Sequence, residues 1–90
     1  MAQAIVDPVE LRRFALNLKK FNGELQERMT ALAGQLAGLG TTWRDQENQK
    51  FAEEFDQHIR VMARFIELSN QHIPFLLRKA ERVEEYLQQR

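Results

Sequence analysis

The 90-residue chain contains no cysteine, only two prolines and only four glycines. Without cysteine it can form no disulfide, no thiolate metal site and no cysteine nucleophile, and it is usable in either redox compartment. The scarcity of proline and glycine, together with much leucine, glutamate, glutamine, arginine and alanine, favours helix. A chain of this length corresponds to one domain, near the lower size limit for a single hydrophobic core.

The chain also lacks an excess of charge of either sign, because 13 basic residues balance 13 acidic ones. A protein that binds nucleic acid needs a concentrated basic face to displace counterions, so no nucleic-acid partner is expected. Long apolar runs are missing as well: the longest, such as IPFLL, are far too short to span a bilayer. The first ten residues have neither the basic nor the apolar region of a Sec-type signal.

A first helix is predicted over about residues 8–39. Asp7 can cap it, and Pro8 suits its first position. Leucine then recurs every seven residues and maintains an amphipathic stripe with a helical period near 3.6; the repeat comprises Leu11, Leu18, Leu25, Leu32 and Leu39. Gly34 and Gly38 indicate either a loosened helix end, which we favour, or a place where another helix approaches closely.

The segment GTTWRD ends this helix and begins another. Gly40 is predicted to adopt the left-handed conformation that follows many helices. Thr42 and Asp45 have the spacing of a capping box, which places the start of the second helix near Trp43. The sequence therefore predicts a turn at residues 40–44 and a second helix over about residues 45–88.

The second helix has an apolar arc of roughly 200°, against roughly 120° on the first helix. Part of this arc is a flanking stripe of Val61, Leu68 and Phe75, again spaced by seven. One neighbouring helix cannot cover so wide an arc, and large exposed apolar patches are uncommon on monomers. We therefore expect a dimer that forms a four-helix bundle, with these three residues in the interface. The partner is either a second copy or a related small helical protein.

Pro74 lies within the second helical pattern. Its ring removes one backbone hydrogen bond and crowds the preceding turn, so a kink is predicted between about Asn70 and Pro74. A complete break into a third helix is the alternative.

Side-chain groupings typical of catalysis are missing from the sequence. His58 and His72 are separated by about 21 Å along one helix and cannot share a metal within one chain. The sole serine, Ser69, has no base beside it, and no glycine-rich phosphate loop is present. The sequence thus predicts no enzyme, no cofactor, no metal and no small-molecule substrate.

A small basic cluster is the strongest electrostatic feature of the sequence. It consists of Arg12, Arg13, Lys19 and Lys20. Binding of phosphate or of an anionic lipid head group is one interpretation. A solvated helix face is the favoured one, because acidic residues lie close by and the net charge is zero.

The segment around Trp43 resembles the WXG100 family, the small ESAT-6-like proteins associated with type VII secretion. The shared features are the chain length, two long amphipathic helices, the lack of cysteine and a mid-chain tryptophan at the bend. The family's Trp-x-Gly appears here as WRD, with Asp45 in place of glycine, and QKFAEEF is similar to the family's start of the second helix. The resemblance covers about residues 7–86. It implies an all-α antiparallel two-helix hairpin, with residues 1–90 as one domain, that associates with a helical partner.

The secretion signal of that family is Tyr-x-x-x-Asp/Glu after the second helix. Here Tyr86 is followed by LQQR, so Arg90 stands where the acid is expected. We predict that this chain alone is not a type VII substrate and that a partner supplies the signal.

The resemblance implies a helical protein–protein interaction module. Such a module acts in the cytoplasm, or leaves the cell by a non-Sec route as a secreted partner or escort. The alternative is a cytoplasmic structural or adaptor bundle with no role in secretion. An enzyme stands third.

Overall fold

A computed structural model describes residues 6–89 of the chain. It contains two helices, α1 over Pro8–Leu39 and α2 over Gln46–Gln88, which residues 40–45 connect. The helices pack side by side in opposite directions and form a rod of 69 × 18 × 14 Å. This part of the chain has no strand, and the predicted all-α helical hairpin is confirmed.

The sequence favours a short tail over residues 1–6, and residues 1–5 of it lie outside the described residues, as does Arg90. Within the described part, neither helix has a stretch that is long and apolar enough to cross a bilayer.

Helix α1 begins at the cap that the sequence indicates. The carboxylate of Asp7 accepts a hydrogen bond from the backbone N–H of Val9 at 2.9 Å. Pro8 occupies the first turn, where its missing N–H costs no intrahelical bond.

The cap of α2 is Asp45, and the prediction that Thr42 caps this helix is wrong. The Asp45 carboxylate accepts from the backbone N–H of Asn48 at 3.0 Å, so the helix begins at Gln46 rather than near Trp43. The Thr42 hydroxyl instead donates to the carbonyl of Leu39 at 3.3 Å. Both residues can cap a helix, and Thr42 is occupied by the unsatisfied carbonyls at the end of α1.

The end of α1 also differs from the prediction for Gly40. This glycine is right-handed, with φ −61° and ψ −15°, and its N–H reaches the carbonyls of Leu36 and Ala37, each at 3.2 Å. The N–H of Trp43 then donates to the carbonyl of Leu39 at 2.8 Å. Further right-handed turns therefore satisfy the terminal carbonyls, and no left-handed residue is required.

The core is a narrow seam of side chains spaced seven residues apart on each helix. Its buried members, each less than a tenth exposed, are Pro8, Ala15, Asn22 and Met29 of α1 and Ile66, Ile73 and Ala80 of α2. A seven-residue spacing brings a side chain back to nearly the same face after two helical turns, so each helix contributes one continuous line.

Helix α2 passes through Pro74 without interruption. The chain therefore forms two helices in its described part, and the alternative of a third helix after Pro74 is wrong. Pro74 follows the seam residue Ile73 by one position and is exposed. A kink at this point stays a prediction.

Candidate partner-binding surface

Six large apolar side chains on one side of the hairpin remain about half exposed. Their exposed fractions lie between 47% and 58%. We call this set the aromatic face; it consists of Phe14, Phe21, Leu32 and Leu39 on α1 and Phe51 and Phe65 on α2.

The helical geometry explains why these residues share one side. Phe21 directly precedes the seam residue Asn22, and Phe65 directly precedes Ile66, so each is rotated from the seam by about 100° in the same sense. In two antiparallel helices, equal rotations away from the line of contact point to the same side of the pair. The amphipathic stripes of α1 and α2 therefore merge into a single surface.

The stripe that the sequence placed in the dimer interface lies next to the aromatic face. Val61, Leu68 and Phe75 are 68%, 40% and 58% exposed. They follow seam positions by two residues, which places them on the outer side of α2, beyond Phe65. The guanidinium of Arg78 lies over the ring of Phe75 at 4.7 Å. The role of this stripe in an interface stays a prediction.

The aromatic face continues to the bend through a row of three rings. The partly buried ring of Trp43 lies 6.2 Å from that of Phe51, and the ring of Phe51 lies 6.0 Å from that of Phe55. The side-chain amide of Asn48 donates to the carbonyl of Trp43 at 2.6 Å, which ties the bend to the first turn of α2. Trp43 thus packs on its own hairpin and keeps part of its surface open.

Asp45 occupies the position of glycine in the Trp-x-Gly motif. Its backbone is extended, with φ −87° and ψ −178°, a conformation that any residue adopts. The aspartate therefore introduces no backbone strain and supplies the cap of α2.

The opposite side of the hairpin is different in character. An open groove runs between the helices near the bend, with small side chains at its edges and Ile59 and Ile66 at its base. The edges are formed by Thr30, Ala33, Ala37, Ala52 and Ala63. Unlike the aromatic face, this side exposes little large apolar surface in the groove region.

The basic cluster predicted to be a solvated helix face is divided by the fold. Arg13, Lys19 and Lys20 are exposed. Arg12 reaches across to α2 and forms an ion pair with Glu84. Hydrogen bonds from Arg12 lower the pKa of Glu84 below its ordinary value, and the same bonds raise the pKa of Arg12.

The sequence analysis above did not predict two features of the hairpin. One is the Arg12–Glu84 ion pair, for which the sequence carries no signal because the residues are 72 positions apart. The other is the buried Asn22, which interrupts an otherwise apolar seven-residue repeat. A polar residue at an apolar position of the repeat can be recognised in the sequence alone, so this feature could have been predicted.

His58 and His72 are both exposed on α2. Among residues 6–89, no three histidine, aspartate or glutamate side chains are arranged to hold a metal ion.

An antiparallel helical hairpin with one exposed aromatic face and a tryptophan at its bend defines the class of this protein, a small all-helical module. The family described as WXG100, proteins of 100 residues with WXG, matches residues 3–86. The chain belongs to this family, and the resemblance inferred around Trp43 is confirmed.

Solved structures agree with this assignment. The chain is similar to EsxB, a secreted protein from Bacillus anthracis str. Sterne, with 30% sequence identity and a TM-score of 0.75 over 96% of this chain and 98% of that chain. A glycine-to-alanine mutant of EsxB gives 30% identity and a TM-score of 0.74 over 94% and 98% of the two chains. No protein of curated function shows significant sequence similarity to the chain.

Proposed function

We propose that this protein is a non-catalytic binding module that packs its aromatic face against a second helical hairpin to form a four-helix bundle. In this proposal the bundle serves a type VII-like secretion pathway, where the protein acts as a secreted partner or as an escort. The aromatic face carries the proposal, because it is the largest set of half-exposed apolar side chains in the described hairpin.

The energetics of the aromatic face support association. Complete burial of one large apolar side chain stabilises by about 1.5–3 kcal/mol, and these six side chains are already about half buried. Covering the remainder contributes on the order of several kcal/mol per hairpin, which is enough to offset part of the entropy lost on association. The stripe of Val61, Leu68 and Phe75 extends the same surface around α2 and is proposed as its edge.

The distribution of charge favours a second copy as the partner. The half of the hairpin nearest the bend, residues 24–68, carries eight acidic and five basic residues. The open half, residues 6–23 and 69–89, carries five acidic and seven basic residues. Two copies that pack in opposite directions set an acidic half against a basic half at both ends. A heterodimer with a related small helical protein is the alternative outcome.

The mass of the protein in solution, measured by light scattering, tests this proposal. We expect the wild type to be a dimer and the double variant Phe21→Glu, Phe65→Glu to be a monomer that keeps its helical circular dichroism. Val9 and Leu16 provide a matched control, because they are 56% and 51% exposed and lie on the opposite side of α1. The variant Val9→Glu, Leu16→Glu should remain dimeric.

A monomeric wild type would contradict self-association. Co-expression with candidate hairpins, followed by co-purification, would then show whether the aromatic face binds a different chain. The Phe21→Glu, Phe65→Glu variant should lose that partner as well.

Export is a separate part of the proposal. Because Arg90 replaces the acid of the Tyr-x-x-x-Asp/Glu signal, we propose that a partner chain directs this protein to the secretion machine. Untagged protein in the culture medium of a strain that lacks the partner would contradict this. Arg90→Glu should increase partner-independent export, and an exposed surface substitution such as Lys20→Glu serves as its control.

The missing acid also favours the second candidate function, a cytoplasmic adaptor bundle. A cytoplasmic adaptor would form the same dimer. It would not be exported with any partner, and Arg90→Glu would not increase its export.

A further inference from the structure

Asn22 is the most deeply enclosed polar side chain of the described hairpin. It is 1% exposed and occupies the seam position between Ala15 and Met29. Its Nδ2 donates to Oγ of Ser69 at 2.7 Å and to Oδ1 of Asn70 at 2.9 Å. Its own Oδ1 is buried without a hydrogen-bond partner. Asn22, Ser69 and Asn70 therefore form one polar layer across an apolar seam, and the layer is incompletely satisfied.

An amide in this position does not maximise stability. A buried polar atom without a partner costs free energy that an apolar side chain of similar size would not. A single buried asparagine in a helical seam is known to trade stability for a defined register.

The apolar pattern of this hairpin repeats every seven residues on both helices, so it does not define one register. Sliding one helix by seven residues, about 10 Å along the axis, sets apolar residues against apolar residues again. Such a slide changes the length that the connection must span. Gly34 and Gly38 have open space around them near the end of α1, and glycine weakens a helix, so this end can unwind and lengthen the turn.

The polar layer distinguishes the native register from the two registers that are shifted by seven residues. After a slide of seven residues in one direction, Asn22 faces Met62 and Ala63 in place of Ser69 and Asn70. After a slide in the other direction it faces Leu76 and Leu77. In either case the buried amide loses both hydrogen-bond partners on α2.

We propose that the layer of Asn22, Ser69 and Asn70 is the specificity-determining element within the seam and that it sets the register of α1 against α2 there. By doing so it sets the position of Phe21 along the hairpin relative to Phe65 within the aromatic face. This pairing lies within one hairpin and does not require the association proposed above.

Distances between two spin labels, measured by pulsed electron paramagnetic resonance, test the proposal. The chain has no cysteine, so Lys20→Cys on α1 and Gln57→Cys on α2, both exposed, place labels at two defined points. The labelled chain is diluted in unlabelled protein so that distances within one chain dominate. With Asn22 present, we expect one distance.

In the Asn22→Leu background we expect a second distance, displaced by up to about 10 Å, and a raised midpoint of thermal unfolding. The slipped population should increase by about tenfold, the order of effect of one unsatisfied buried polar group. The control Met29→Leu, a volume-conserving change at the next seam position, should keep the single distance.

Asn22→Ala covers the case in which leucine overpacks the seam and prevents folding, since alanine removes the amide without adding bulk. It should show the second distance at lower stability. A single native distance in the folded Asn22→Leu or Asn22→Ala protein would overturn the proposal.

Discussion

Arg12 forms a bidentate ion pair with Glu84, 72 positions further along the chain. Arg12 lies in the second turn of α1 and Glu84 near the end of α2. Two guanidinium nitrogens lie 2.5 and 2.8 Å from the two carboxylate oxygens. Each side chain is about one third exposed. The ion pair holds α1 and α2 together at the open end of the hairpin, where no turn joins the helices.

Stabilisation by this ion pair should depend on pH. The pKa of Glu84 is lowered in the folded protein, so its contribution to the free energy of unfolding is complete above the ordinary glutamate pKa of about 4.3. The contribution is lost as the pH falls through the lowered value. We expect Glu84→Gln to unfold at a lower temperature than the wild type at neutral pH, and the two midpoints to converge in acid.

The exposed neighbour Arg13 provides the control for this comparison. The midpoint of thermal unfolding of Arg13→Gln should vary with pH as that of the wild type does. Arg13 is exposed, whereas Arg12 forms the ion pair with Glu84. A difference between the wild type and Glu84→Gln that stays constant across the whole pH range would contradict the assignment.

The outer stripe on α2 should contribute to association. Leu68 and Phe75 are exposed in the hairpin, so Leu68→Glu with Phe75→Glu should leave most of the helix intact. The introduced carboxylates would be desolvated in an interface, and we expect the dimer to dissociate. Light scattering and circular dichroism measure the two effects. Loss of helicity would show that these residues serve the core of the hairpin itself.

Trp43 should act as a clamp on the bend. Its ring is partly buried against Phe51, so Trp43→Ala should cost about 1–3 kcal/mol, less than the roughly 3–5 kcal/mol of large aromatic side chains in complete cores. Association should weaken more than helix content falls. Trp43→Phe, which keeps an aromatic ring, is the matched control and should lose less stability and less association than Trp43→Ala.

The fluorescence of Trp43 gives an independent measurement of the same clamp. We expect emission at shorter wavelengths than free tryptophan in water and limited quenching by iodide in the assembled protein. Emission like that of free tryptophan, with ready quenching, would mean that the ring is simply exposed.

Asp45 should stabilise α2 through its cap. Removing the carboxylate with Asp45→Ala should cost about 1 kcal/mol in chemical denaturation, because the N–H of Asn48 loses its acceptor. Asp45→Gly, which restores the glycine of the family motif, should cost only a few tenths of a kcal/mol. Asp45→Asn keeps an acceptor and should be close to the wild type. Equal losses in all three variants would contradict a capping role.

Gly34 lies in the interior of α1 with nothing within 4 Å of the position of an added Cβ. Gly34→Ala should therefore raise the free energy of unfolding by about 0.5–1 kcal/mol, without change in the mass of the assembled protein. A variant that is more helical but no longer dimeric would show that another helix approaches closely at this glycine.

The sequence by itself determined the two helices and their approximate limits, because the signals for them are local. The leucine repeat and the Asp7–Pro8 pair are read within a few helical turns, and α1 indeed runs from Pro8 to Leu39. The mid-chain tryptophan, together with the chain length, the two amphipathic helices and the lack of cysteine, likewise indicated the family. Local signals failed where two caps compete, since Thr42 and Asp45 are both able to cap α2 and the end of α1 occupies only Thr42.

The tertiary structure alone decided which side chains from the two helices meet. A pattern that repeats every seven residues is satisfied by several registers, so it cannot predict that Arg12 reaches Glu84 or that Asn22 reaches Ser69. The same pairing determines which apolar residues are left over. Phe21 and Phe65 form one surface only because antiparallel packing turns both stripes to the same side of the hairpin.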